Sequence, residues 1–133
     1  MMRITHVSLL VHDQREAQEW YTEKLGWRTI ADEPFPGDPH NRWITVGPEG
    51  QEGLEVVLEL PHWGVAPGEE SRVALVGKTP GFIIATDDCQ AEYERLSANG
   101  VRFIGPPEEL PWGISAMFFD LYGTAQNLLQ PGG

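Results

Sequence analysis

Two stretches of the chain share one order of apolar and polar residues. Residues 6–13 and 81–88 are short β-rich runs, and each run ends on an aspartate. A segment with helical spacing follows each run and stops at a glycine, Gly26 in the first half and Gly100 in the second. This repeated order of strand, helix and glycine predicts two copies of one supersecondary unit.

Both helical segments begin at aspartates that can cap them. Asp13 and Glu16 have the spacing of a capping box, and Asp87 and Gln90 take the same positions in the second half. The apolar residues that follow fall on one face of each helix, namely Ala17, Trp20, Tyr21 and Leu25 in the first and Cys89, Tyr93 and Leu96 in the second. We expect these helices near residues 13–25 and 88–99.

The other regular segments are predicted to be strands. The β-rich stretches are residues 42–46 and 54–60 in the first half and 114–119 and 126–130 in the second. Residues 32–41 hold three prolines and a glycine, so we expect them to be irregular.

The predicted fold class is therefore α+β, built from two βαβββ modules in a single domain over residues 1–133. Module 1 spans about 3–60, a surface linker 61–79, and module 2 about 80–131. The helix covers one face of each sheet and leaves the other bare. Pairing the bare faces, within the chain or across a dimer, would give a concave mixed sheet, and we expect a homodimer with a small-molecule site in the groove between the modules.

Composition narrows the class of partner. The net charge of −11, from 20 acidic and 9 basic residues, repels phosphate backbones, so we expect no nucleic acid partner. The same charge would favour cationic ligands or simply keep the protein in solution. The apolar runs are far too short to span a membrane, and no secretory signal is readable at the N-terminus. The single cysteine, Cys89, excludes an internal disulfide and is typical of a cytoplasmic protein.

Several of these segments resemble a known superfamily. The opening T-H-V-S-L-L-V-H-D with A-Q-E-W-Y-T-E-K-L-G-W, and the closing P-W-G-I with F-F-D-L-Y-G-T, are similar to the vicinal-oxygen-chelate proteins. That superfamily contains glyoxalases, bleomycin-resistance proteins and extradiol dioxygenases. The resemblance covers about residues 3–131 and implies the fold, but the fold hosts both enzymes and catalytically silent drug binders.

The resemblance also implies four metal-ligand positions, which fall on His6, Glu55, Gly81 and Asn127. Histidine and glutamate suit a divalent ion such as Zn, Ni, Fe or Mn. Glycine has no side chain, and asparagine offers only a neutral amide oxygen. We therefore expect no metal cofactor, unless His40, His62 or Glu59 completes the set.

Other conspicuous residues are candidates for a ligand site. Trp43 and Trp112 lie at a strand start and in a glycine-containing turn, where their rings could stack on a planar or cationic ligand or simply plug the ends of the sheets. The expected ligand-binding residues are His6, Glu55, Trp43, Trp112 and Asn127.

These observations leave three functions open. The first is a binding protein that sequesters a small aromatic or cationic compound without a full metal site. The second is a divalent-metal lyase, isomerase or dioxygenase using His6 and Glu55 as ligands. The third is a metal-free enzyme with Glu55 or His6 as the general base, since a carboxylate in an apolar cavity can serve in proton transfer.

Overall fold

The computed structural model describes residues 1–132. They divide into two compact units, unit 1 over residues 1–76 and unit 2 from residue 77 onward. Unit 1 contains β1 (His6–Leu10), α1 (Gln14–Lys24), β2 (Arg28–Phe35), β3 (Asp38–Gly47) and β4 (Glu55–Glu59), followed by a short 3₁₀ helix at Val73–Leu75. Unit 2 contains β5 (Ile83–Ala85), α2 (Cys89–Ala98), β6 (Arg102–Phe103), β7 (Glu108–Leu110), β8 (Gly113–Phe119) and β9 (Ala125–Pro131). The α+β class and the repeated order of elements are confirmed.

Unit 1 is a four-stranded sheet in the order β1-β4-β3-β2, with β1 parallel to β4 and the other neighbours antiparallel. The sheet face under α1 is apolar and includes the buried side chains of Leu9, Ile44 and Leu58. Gln14, at the start of α1, is buried and donates from its amide to the carbonyls of Arg42 (2.7 Å) and Leu58 (2.9 Å). The helix start is therefore tied to both inner strands.

Unit 2 repeats this topology in the order β5-β9-β8-β6, with β7 also paired to β8. The strands β6 and β7 together take the place of β2. The interruption between them contains Pro106 and Pro107, and proline cannot donate a hydrogen bond to a neighbouring strand. The helix-covered face is again apolar and includes Phe118 and Leu128.

Two local expectations are wrong. Residues 32–41 are not irregular, because β2 runs to Phe35 and β3 begins at Asp38. Pro34 is tolerated there since β2 is an edge strand, and Gly37 makes the turn with a positive φ of 74°.

The second correction concerns the cap of α2, which is Asp88 and not Asp87. The Asp88 carboxylate accepts from the Ala91 backbone N–H at 3.0 Å, as Asp13 accepts from Glu16 in α1. The buried Cys89 sets this start, because its N–H donates to the Gln130 side chain on β9 at 3.0 Å. This bond and the burial of Cys89 favour a helix that begins at Cys89.

The stretch expected to be a surface linker belongs largely to unit 1. The Arg72 guanidinium pairs with the Glu59 carboxylate and also donates to the Trp63 carbonyl. The Trp63 ring stacks on Phe35, with centroids 5.0 Å apart and 26° between the planes. These contacts hold residues 61–76 against the first sheet. No helix in the described residues is long and apolar enough to cross a membrane.

Candidate functional site

His6 and Glu55 lie side by side on the face of the first sheet that α1 leaves bare. They are direct partners in the parallel register of β1 and β4. The His6 Nε2 atom is 3.4 Å from the Glu55 Oε2 atom, and the two side chains are 36% and 29% exposed. The sequence expectation that these residues share one face agrees with this geometry.

A buried threonine fixes the Glu55 carboxylate. Thr45 on β3 has no exposed surface, and its hydroxyl donates to Glu55 Oε1 at 2.6 Å. The second carboxylate oxygen is left on the side of His6. Thr45 was not among the sequence candidates, although a hydroxyl residue follows an isoleucine in the third strand of each half, as Ile44-Thr45 and Ile114-Ser115.

The His6 imidazole is held from both sides. The Thr5 hydroxyl lies 2.8 Å from His6 Nδ1, opposite the nitrogen that faces Glu55. A neutral imidazole that carries its proton on Nε2 points that proton at the carboxylate and accepts from the Thr5 hydroxyl at Nδ1. The two contacts therefore orient the imidazole toward the Glu55 carboxylate.

Of the two predicted aromatic residues, Trp43 joins this cluster. Its ring centroid is 5.5 Å from that of His6, with a tilt of 53°, and the side chain is half-buried. Trp112 is 61% exposed in the turn between β7 and β8 of unit 2. The candidate site of unit 1 therefore consists of His6, Glu55, Thr45 and Trp43, which we call the His6 cluster.

Unit 2 repeats the backbone of this cluster with different side chains. The Asn127 N–H donates to the Phe82 carbonyl at 2.8 Å, as the Glu55 N–H donates to that of Thr5 at 2.9 Å. Asn127 is therefore the counterpart of Glu55, and its partner in the register is Ile83.

The counterpart of His6 is thus Ile83, and the assignment of that position to Gly81 is wrong by two residues. The first residue of the β-rich run does not set the register, because the pairing of β5 with β9 begins at Ile83 and Asn127. Gly81 has another role, because a Cβ atom there would overlap the carbonyl oxygen of Ala125 and lie 2.8 Å from Gln126 Oε1. Isoleucine, like glycine, offers no metal ligand.

The donors do not fit a transition metal site. His6 and Glu55 are two ligands, whereas catalytic zinc sites take three from the protein. Glu59, a possible third ligand, is engaged with Arg72. Within residues 1–132 no group of three or more His, Cys, Asp or Glu side chains is arranged to hold a metal ion, so His40 and His62 do not complete the set there.

We expect the purified protein to carry no stoichiometric transition metal. The physical reason is that two of the four family positions hold Ile83 and Asn127, which leaves two strong ligands in the described residues. Elemental analysis after purification without chelator or a nickel column measures this. About one equivalent of zinc, nickel, iron or manganese that is lost in His6→Ala would contradict the prediction.

Another concave region of unit 1 lies at the start of α1. It has a volume of about 530 Å³ and is lined by residues that include His12, Arg15, His40 and Arg42. Both arginines pair with the Asp32 carboxylate. Burial raises the pKa of Asp32, but hydrogen bonds from the two arginines and Gln18 lower it, and the net pKa lies below its ordinary value. The cationic charges here already have a counter-ion.

The chain is similar to proteins of one superfamily over nearly its full length. The model of the Glyoxalase/Bleomycin resistance protein/Dioxygenase superfamily matches residues 3–128. An uncharacterized protein of Shewanella frigidimarina is 31% identical over 131 residues, which are 96% of this chain and 92% of the relative.

Solved structures show the same similarity. The structure of UcmS2 has a TM-score of 0.81 at 32% identity and covers 97% of this chain and 98% of its own. The structure of TnmS3, described as an antibiotic binding protein from Streptomyces sp. CB03234, has a TM-score of 0.79 at 32% identity, over 99% of this chain and 98% of its own.

Proposed function

Because the chain belongs to the Glyoxalase/Bleomycin resistance protein/Dioxygenase superfamily, we propose that it binds and sequesters a small aromatic or cationic compound without a full metal site. The observation that carries the proposal is the His6 cluster. A carboxylate held by a buried hydroxyl lies beside an imidazole and a half-buried indole on the sheet face opposite α1.

The chemistry of the cluster suits a planar cation. A carboxylate attracts positive charge, and an indole ring attracts a cation through its negative face. The net charge of −11 adds a long-range field of the same sign. The likeness to TnmS3, described as an antibiotic binding protein, supports binding over turnover.

The other expectations are part of this proposal. A homodimer, a cytoplasmic location, one domain over residues 1–133 and a ligand site in the groove between the modules stay predictions. Metal-dependent isomerisation or ring cleavage would need at least one further ligand beyond His6 and Glu55. Glu55 as a general base requires no metal, and turnover of a bound compound would favour that function.

Proflavine, a planar cation at neutral pH, tests the proposal. We expect it to quench tryptophan fluorescence saturably and to raise the melting temperature, since a ligand bound only to the folded state stabilises it. Trp43→Phe should lose most of the quenching, whereas Trp112→Phe, which changes an exposed tryptophan in unit 2, should keep it. Absence of saturable binding, or equal quenching in both variants, would contradict the proposal.

A further inference from the structure

The amide of Asn127 is held in one orientation on the face of the second sheet opposite α2. The Ser115 hydroxyl, on β8, donates to Asn127 Oδ1 at 2.6 Å. Ser115 is buried, so its hydroxyl has little access to water as an alternative partner. The short distance is that of an O–H···O hydrogen bond, which places the amide oxygen and not the nitrogen against the serine.

This orientation leaves the amide nitrogen without a protein partner. Besides the backbone bonds between paired strands, Asn127 makes two hydrogen bonds within residues 1–132, one from Ser115 to its Oδ1 and one from its backbone N–H to Phe82. Neither uses the Nδ2 atom, and the side chain is only half-buried. Two N–H donors of Asn127 are therefore open to a ligand on this face.

The surroundings of these donors are apolar. Both register partners of Asn127 are large apolar residues, Ile83 on β5 and Met117 on β8. Ile83 is 71% exposed and Met117 is 39% exposed. A fixed pair of donors among exposed apolar side chains matches the usual design of a small-molecule site, where a few polar groups orient an apolar ligand.

The two units thus present opposite hydrogen-bonding chemistry at equivalent positions. Glu55 offers a carboxylate acceptor, held by Thr45, and Asn127 offers amide donors, held by Ser115. We propose that Asn127 binds a carbonyl oxygen of a neutral, largely apolar ligand group through its Nδ2 atom, with Ile83 and Met117 in contact with the carbon frame. Ser115 acts as the positioning residue. This inference rests on the proposed function, because it assumes that the sheet faces bind small compounds.

The test uses the full chain and two matched fragments, acetophenone, which has a carbonyl, and ethylbenzene, which does not. In ¹⁵N-edited NMR spectra we expect acetophenone to shift the side-chain NH₂ signals of Asn127 saturably and ethylbenzene to leave them nearly unchanged. Asn127→Asp replaces the donors with an acceptor of the same shape and should weaken acetophenone binding by roughly fivefold, the usual effect of one hydrogen bond. It should leave ethylbenzene binding unchanged.

A second variant, Ser115→Ala, tests the positioning role of Ser115. It removes the group that orients the amide, so acetophenone should bind more weakly while the Asn127 donors remain present. Retained backbone amide shifts in both variants show that unit 2 is folded. Equal responses to the two fragments, or no saturable response at Asn127, would overturn the inference.

The NMR experiment distinguishes a failure of the Asn127 inference from a failure of the proposed function. A response of the Trp43 indole N–H to proflavine, with Asn127 silent toward acetophenone, refutes the role of Asn127 and leaves the proposed function intact. Silence at both positions refutes both. A response at both positions supports both.

Discussion

Glu55→Gln is expected to weaken the binding of proflavine about tenfold, which is the usual effect of losing a hydrogen bond or contact to a charged group. Glutamine has the shape of glutamate and keeps an oxygen that can accept from the buried Thr45 hydroxyl, so the change removes charge with little change in packing. The neutral analogue acridone should bind the variant and the wild type equally. Isothermal titration calorimetry of both compounds measures the difference.

Glu59→Gln is the matched control. Glu59 lies on the same strand and the same sheet face as Glu55, four residues further on, and the same chemical change is made there. Its charge is already paired with Arg72, so its loss should alter proflavine affinity little. Equal losses in the two variants would show that the field of the whole protein and not the His6 cluster attracts the cation. Equal losses for proflavine and acridone in Glu55→Gln would show that Glu55 contributes shape and not charge.

Gly81→Ala is expected to lower the free energy of unfolding by about 3 kcal/mol, at the upper end of what overpacking costs. The added Cβ would overlap the Ala125 carbonyl oxygen, so the chain before β5 must move away from β9. The Asn127 N–H bond to Phe82 is close to this point and should lengthen. Urea denaturation followed by fluorescence measures the change.

Gly105→Ala is the control for this substitution. A Cβ atom at Gly105 has nothing within 4 Å, and Gly105 also lies in unit 2. Alanine there should be neutral or slightly stabilising, because it restricts the unfolded chain. The expectation for Gly81 fails if the two variants unfold at the same urea concentration.

Periodicity and capping were enough to predict most of the fold. The glycine stops at Gly26 and Gly100 both have positive φ, 75° and 90°, as expected for left-handed helix ends. The errors came from features that depend on neighbours. The prolines of residues 32–41 suggest irregular chain, but Pro34 lies on the edge strand β2, which does not need its missing N–H group, and Pro39 lies at the start of β3, before the part that pairs with β4.

Residues of the candidate site were likewise predictable only where their role does not depend on neighbouring strands. His6 and Glu55 could be paired from the sequence because a family resemblance fixed both positions. Ile83 could not, because its alignment with His6 depends on the hydrogen bonds between β5 and β9. Thr45 and Ser115 could not be assigned a role either, since a hydroxyl on a buried strand carries no signal of which side chain it will meet.

The hydroxyl at equivalent positions of the two units affects how the ligand preference of such a protein can change during evolution. Thr45 and Ser115 each donate to an oxygen at the tip of the side chain they hold, and glutamate and asparagine both supply one. The hydroxyl can make this hydrogen bond whether the other atom of the group is a second carboxylate oxygen or an amide nitrogen. If Thr45 and Ser115 are kept, a single substitution at Glu55 or Asn127 can replace an acceptor by a donor, or the reverse, without changes in the buried core. The two halves thus keep one supporting contact and differ in the polar group that it supports.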